Sequence, residues 1–336
     1  MSKRTSRRTI LRAAIALAAT AAGPPAREAF AMGAGPIKVS SFPGLSNLPI
    51  FAAQQQGLFE KYGVAITLSF TPNSKSQREG LAGGEYQIIH TAADNAVAMV
   101  ELGKADPVIV AGGDNGFNRI FAQPEIKSLA DLRGKTVVVD APNTAFALLL
   151  YKALKEAGLD KGDYKVHPVG GTPQRLKAML TDKANAAAGV ISPPLTFEAA
   201  AAGLNDMGSA TTGVGDYQSG SVVVMRPWAK ANSDTLVRYL KAIIEGRRWL
   251  LDAANKNDVI ALMASKFKLS PDFAAKSYAV VTDPTNGFDK DAKFNMQGFL
   301  NVLKLRAEIE GQWGGHPPAP DKYFDLSYYN TALAAL

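Results

Sequence analysis

The side chains that could carry out a reaction are few in this chain. There is no cysteine, which removes disulfides, thiolate metal sites, iron–sulfur clusters and a thiol nucleophile. The three histidines, His90, His167 and His316, stand far apart, without the H-x-x-x-H or H-E-x-x-H spacing of a zinc site. No G-x-S-x-G nucleophile turn or Walker loop occurs, and Gly112-Gly113-Asp114-Asn115-Gly116 lacks the spacing of a dinucleotide fingerprint. The sequence therefore predicts no catalytic residue, no metal ligand and no cofactor.

Hydrogen-bonding groups are plentiful by contrast, and they sit in short loops directly after apolar runs. Ser41, Phe42 and Asn47 follow the first run; Ser74 and Ser76 follow the second. Thr91, Asp94 and Asn95 come next, at the expected start of a helix, where unpaired N–H groups suit an anionic oxygen. Asp114 and Asn115 close this first series. A second series offers Asn143, Thr144, Gly171, Thr172 and Ser192, with Asp283 from a later loop. Such groups at the carboxyl ends of strands are what non-covalent capture of a small polar molecule needs. Each also has an ordinary use as a helix cap or turn residue.

The charged candidates bear on what could be held. Asp94 and Asp114, facing a cleft, would ask for an amine or ring N–H; Lys75, Arg78 and Arg119 would meet a sulfonate or carboxylate. Both sets together would favour a zwitterion or a decorated heterocycle. Phe42, Phe117, Phe146, Tyr217 and Phe288 could sandwich a planar part or simply pack in a core. His90 ends a strand beside the expected cleft, where a hydrogen-bonded structural role is the ordinary reading.

The elements that must position these loops alternate. Strands are expected at residues 37–40, 64–70, 86–90, 107–111, 136–139, 164–169 and 187–191, and helices at about 49–59, 94–102, 143–158 and 173–180. From residue 233 onward the chain reads as strongly helical. This is the pattern of parallel or mixed sheets covered by helices. The extended runs Arg119–Gln123 and Ser221–Arg226 bracket about 100 residues and read as two crossings between lobes. The expected division is 36–121 for the first part of lobe 1, 122–222 for lobe 2, and 223–336 for the return to lobe 1.

Residues 1–31 read as an export signal. A basic head of Lys3, Arg4, Arg7 and Arg8 precedes the weakly apolar stretch Ala13–Ala22, and Ala29-Phe30-Ala31 supplies a small-x-small cleavage pattern. Ser6-Arg7-Arg8-Thr9-Ile10-Leu11-Arg12 resembles the twin-arginine signature, which implies the twin-arginine translocase as a partner during export. The whole chain carries 37 basic and 30 acidic residues, but six of the basic and one of the acidic lie in this leader. The remaining 31 and 29 leave a net charge of only +2, so no nucleic-acid partner is expected. No apolar run reaches the roughly 20 residues of a membrane span, and without cysteine no lipid-modified N-terminus is expected.

The residues also carry a family likeness. Gly57-Leu58-Phe59-Glu60-Lys61-Tyr62-Gly63-Val64 resembles the GLF-x-x-x-G-L-V segment of the nitrate/sulfonate/taurine and thiamine-pyrimidine-precursor binding proteins, the NMT1/THI5-like group. Leu81-Ala82-Gly83-Gly84-Glu85-Tyr86, Pro193-Pro194 and Pro320-Asp321-Lys322-Tyr323-Phe324-Asp325 also fit, in family order. Ser128-Leu129-Ala130-Asp131-Leu132-Arg133-Gly134-Lys135-Thr136-Val137 is the most specific match. Two segments depart: Leu180–Ala186 lacks the relatives' glycine, and Tyr86-Gln87 replaces an acidic pair, changes that bear on the ligand rather than the fold.

The resemblance implies an α/β, two-lobed type II periplasmic-binding-protein fold with two hinge crossings and a ligand cleft between lobes. It further implies a monomeric, soluble, periplasmic receptor that hands a sulfonate- or taurine-like solute, a nitrate-like anion or a substituted pyrimidine to an inner-membrane ABC permease. The competing expectations are a pyrimidine-precursor synthase or other enzyme on the same fold, and a sensory ligand-binding domain.

Overall fold

Each expected strand of the first half forms, and local chemistry explains why. A computed structural model describes residues 35–336; the leader, its twin-arginine run and its cleavage point lie outside the described residues. In chain order the first lobe runs β1 (Ile37–Ser41), α1 (Leu48–Gln55), α2 (Leu58–Lys61), β2 (Ile66–Phe70), α3 (Ser74–Ala82), β3 (Ile88–Ala92), α4 (Ala93–Glu101) and β4 (Pro107–Gly112). The second runs β5 (Arg119–Ala122), β6 (Thr136–Val139), α5 (Ala145–Glu156), β7 (Lys165–Pro168), α6 (Thr172–Thr181), β8 (Ala188–Ile191), α7 (Leu195–Ala201) and β9 (Asn205–Ser209). The return comprises β10 (Gly220–Met225), α8 (Arg226–Ala231), α9 (Ser233–Leu251), α10 (Lys256–Phe267), α11 (Pro271–Val281), α12 (Met296–Glu310) and α13 (Ser327–Ala334).

These strands make two five-stranded sheets, ordered β2-β1-β3-β10-β4 and β7-β6-β8-β5-β9. The pairs β1–β2, β1–β3, β6–β7 and β6–β8 are parallel, whereas β10 and β5 run antiparallel to their neighbours. Two expected crossings are thereby corrected. Arg119–Ala122 is a strand of the second sheet, and most of Ser221–Arg226 is a strand of the first. The chain passes between sheets at 113–118 and 210–219. The extended patterning marked the strands themselves, and the glycine-bearing segments beside them carry the crossings, so patterning pointed one element too far.

Close backbone approach fixes these crossings. A side chain on Gly113 would strike the Gly220 backbone, one on Gly220 would strike the Asp114 carboxylate, and one on Gly112 would strike the Lys293 carbonyl. Caps fix several helix starts: Asn73 accepts from the Ser76 N–H, Ser270 from Phe273 and Asn295 from Gly298. The most specific family segment has a physical basis too. Ser128 and Asp131 form a reciprocal capping box, and Gly134 follows with a φ of 74°.

Burial follows the periodicity. On α9, Leu236, Leu240, Ile243, Ile244 and Leu250 are all buried, the stripe of a helix laid on a sheet. One core cluster joins Val97 of α4, Leu148 of α5 and Val302 of α12, so α12 packs against helices of both lobes. Burying each such side chain contributes about 1.5–3 kcal/mol. Among the described residues, no helix is long and apolar enough to cross a membrane.

Candidate ligand-binding site

A cavity of about 90 Å³ lies where the loops of the two sheets meet. From the first sheet come Ser41 at the end of β1, Thr91 and Ala92 at the end of β3, and Gly112–Asp114 after β4. Ser219–Ser221 enter from the start of β10, whose reversed direction brings its first residues to the same edge. Asp140 after β6, Gly171 and Thr172 after β7, and Ser192 and Pro193 after β8 form the opposite wall. Thr144, Ala145 and Phe146 add the first turn of α5. That turn and the first turn of α6 have no side-chain cap, so their N–H groups and partial positive charge remain directed at this region.

Three hydrogen bonds join the walls around the cavity. The Gly171 N–H donates to the Pro72 carbonyl at 2.9 Å, and the Leu45 N–H to the Pro193 carbonyl at 3.3 Å. The Ser74 N–H, at the start of α3, donates to the Asp140 carboxylate at 3.0 and 3.2 Å. On the first wall, Asn95 donates to the Thr91 hydroxyl at 2.7 Å and to Ser74 at 3.3 Å, while accepting from Arg78 at 2.9 Å. On the second, Thr172 donates to Ser192 at 3.1 Å and accepts from Arg175.

Charge here is balanced but separated. Arg175 and Arg247 supply two buried guanidiniums, Asp114 and Asp140 two carboxylates. Burial pushes both guanidiniums down to about 10, against the opposing fields of Asp140 and Asp114 respectively, so both stay charged at neutral pH. Burial raises the Asp114 carboxyl, opposed by Arg247 and by hydrogen bonds from Ser219, Gly116 and Gly220. Burial, reinforced by Arg247, pushes His90 down to about 3. Its Nε2 lies 2.7 Å from the Tyr239 hydroxyl, which makes it a neutral, hydrogen-bonded ring in the cavity wall. Among the described residues, no group of three or more histidine, aspartate or glutamate side chains is placed to hold a metal.

Ten of the sixteen candidate residues lie on the cavity wall: Ser41, Phe42, Ser74, Thr91, Asn95, Asp114, Thr144, Gly171, Thr172 and Ser192. The other six lie elsewhere, and each has a different task. Asp94 turns away to a buried ion pair with Arg306 of α12, at 2.6 Å. Asn47 pins its own loop by donating to the Phe42 and Gly44 carbonyls. Ser76 supplies the N–H that Asn73 caps. Asn143 offers its backbone carbonyl to Arg306. Asn115 meets the Thr285 carbonyl and Asn295 at 3.5 Å. Asp283 accepts the Thr285 and Asn286 N–H groups beside a separate surface depression. Nor do Asn143 and Thr144 cap α5, since the Thr144 hydroxyl donates backward to the Ala141 carbonyl.

Sequence reasoning passed over Asp140, Arg175, Ser219, Ser221 and Arg247 as wall residues. Asp140 directly follows an apolar strand, the position that singled out the others, so that signal was present, whereas Ser219 and Ser221 lie at the start of β10, the opposite end of a strand. Arg175 and Arg247 lie inside helices, where nothing in the sequence separates them from surface arginines. Of the five aromatics, Phe42 and Phe146 reach the cavity, Phe117 and Phe288 pack edge to face in a core, and Tyr217 is buried.

Two lobes with loops meeting over a cavity can be set beside known proteins. The NMT1/THI5-like profile matches residues 46–257, more than half of the chain. The chain belongs to the NMT1/THI5-like family. A protein of Brachyspira hyodysenteriae named as an ABC transporter periplasmic binding protein is 28% identical over 226 residues, 62% of this chain and 63% of that protein. The chain thus spans less than two thirds of the length of this curated relative. The nitrate-binding protein NrtA of Synechocystis PCC 6803 superposes with a TM-score of 0.72 at 15% identity, over 89% of this chain and 88% of that one. The alkanesulfonate-binding protein SsuA of Xanthomonas axonopodis pv. citri, bound to MOPS, gives 0.67 at 16% identity, over 89% and 98%. At such identities the likeness concerns the fold alone: an α/β, two-lobed periplasmic-binding-protein fold.

Proposed function

We propose that this family member is an exported solute receptor, which encloses a small polar organic molecule between its lobes and delivers it to an inner-membrane ABC permease. One observation carries the reading: a cavity lined by hydrogen-bonding and charged side chains is walled by loops from both sheets, and hydrogen bonds join those walls around it. A molecule held there touches both lobes at once, so its binding energy favours the closed arrangement over the open one. The relatives' names support a receptor rather than an enzyme, and they support passage through an ABC importer. Export by the twin-arginine route, cleavage after Ala31, a periplasmic location without a lipid anchor, and a monomeric state complete the proposal. The lobes of this reading are 36–112 with 220–336, and 119–209, with the hinges at 113–118 and 210–219 in place of the limits expected at 121/122 and 222/223. Sulfonate- or taurine-like molecules, nitrate-like anions and substituted pyrimidines are the solutes in view.

A thermal-shift screen of those classes tests the reading. A hundredfold excess of ligand over its dissociation constant stabilises by about 2.7 kcal/mol, and the same solute lowers the radius of gyration in small-angle scattering. A screen in which no solute raises the melting temperature or contracts the protein refutes it.

A further inference from the structure

The protein shows how it treats buried charges that have no outside partner. Asp94 and Arg306 are 1% and 0% exposed and bond directly to one another at 2.6 Å. Arg175 spends its donors on the Val190 and Gly170 carbonyls and the Thr172 hydroxyl. Two charges on the cavity wall are treated differently. Arg247 is 2% exposed and donates through Nη1 to the Gly113 and Asp289 carbonyls, but its Nε has no partner among the described residues. The neighbouring wall residue Ser221 has a buried hydroxyl that is likewise without a partner. Asp114, 3% exposed, accepts the Gly116 N–H at 3.1 Å together with hydrogen bonds from Ser219 and Gly220, and Arg247 acts on it only through its field, with no basic group among the described residues within ion-pair distance.

A buried charge without a counter-ion in contact is costly, and a molecule held in the cavity can supply one to each of these groups. We infer that the bound solute is dipolar, carrying an oxyanion for Arg247 and a cationic nitrogen or N–H donor for Asp114 within one small molecule. This rests on the receptor reading and narrows it. A lone oxyanion would answer Arg247 yet face the two wall carboxylates, Asp114 and Asp140. A lone cation would meet the reverse. The two guanidiniums and two carboxylates of the wall cancel, so a molecule without net charge adds no uncompensated charge to the enclosed space.

The test is calorimetry on the purified full chain with matched probes: taurine and β-alanine as dipoles, ethanesulfonate and propionate as their anion-only counterparts, propylamine as the cation, and nitrate. The dipolar probes are expected to bind at least about tenfold more tightly than either single-charge counterpart. Asp114→Asn removes the advantage over the anions, and Arg247→Gln removes the advantage over the amine. Circular dichroism confirms that each variant is folded; should Arg247→Gln not fold, Arg247→Lys must still alter the carboxylate-to-sulfonate ratio. Equal binding of a single-charge probe, an unchanged preference in both folded variants, or no binding by any dipolar probe overturns the inference. Native mass spectrometry of the purified chain keeps the two readings apart. A retained organic solute that is not dipolar overturns this inference and leaves the receptor standing. No retained solute, together with no response to any probe or screened class, removes both.

Discussion

Asp94→Ala should destabilise the folded protein strongly while leaving solute affinity unchanged. The carboxylate and its partner Arg306 are both fully buried, and Arg306 Nε donates to Asp94 at 2.6 Å. Arg306 also donates to the Asn143 carbonyl at 3.0 Å and to Gln312 at 3.1 Å, which ties α12 to the start of α5. Removing Asp94 leaves a guanidinium enclosed with neutral acceptors only, a loss of about 3–5 kcal/mol. Arg306→Met strands the carboxylate and should cost about as much. In the double variant neither charge is left behind, so its loss falls well short of the sum and gives a coupling energy of about 2–3 kcal/mol. Urea unfolding followed by circular dichroism supplies all four free energies. Calorimetry with the best solute supplies the affinities, which should stay within about twofold because Asp94 does not line the cavity. A single variant within about 1 kcal/mol of wild type, or a double variant as unstable as the sum, refutes the reasoning.

Further outcomes follow from other sites. The depressed pKa of His90 means that the unfolded chain takes up a proton the folded one refuses, so this contribution is present above about pH 6.5 and is lost as pH falls toward about 3. By pH 5 the loss is about 2 kcal/mol, and His90→Gln should flatten the pH dependence of urea unfolding between pH 7 and 5 by that amount. Gly113→Ala sets a methyl against the Gly220 backbone and should cost about 1–3 kcal/mol, measured the same way. Asn143→Ala and Asp283→Ala should leave solute affinity within about twofold, since neither side chain lines the cavity; a tenfold loss in either would place the site elsewhere.

Much of this protein can be read without coordinates. Period-two runs such as Ile66–Phe70, the β-branched block Thr136–Val139 and the apolar stripe of α9 are local patterns, and each formed the element it encodes. The placement of polar loops after strands was legible for a related reason. In a parallel α/β sheet the chain must turn at the carboxyl end of each strand, so Ser41 and Thr91 share one edge of the first sheet, and Gly171 and Ser192 one edge of the second, wherever such sheets form. The segments α7 and β9 were missed because they are short and weakly patterned, at Leu195–Ala201 and Asn205–Ser209.

What the sequence alone could not decide is which polar group faces which neighbour. Asp94 and Asn95 are adjacent at the start of α4, yet the rotation of about 100° between successive helical residues sends the first to Arg306 and the second to the cavity wall. That choice depends on α12, more than 200 residues later in the chain. Arg175 and Arg247 look like any helical arginine until tertiary packing buries them beside a cavity. Local pattern determines the elements because backbone and side-chain periodicity act over a few residues. The assignment of charge to cavity, core or surface is decided only by packing between distant elements, since the cost of a buried charge depends on every group that surrounds it.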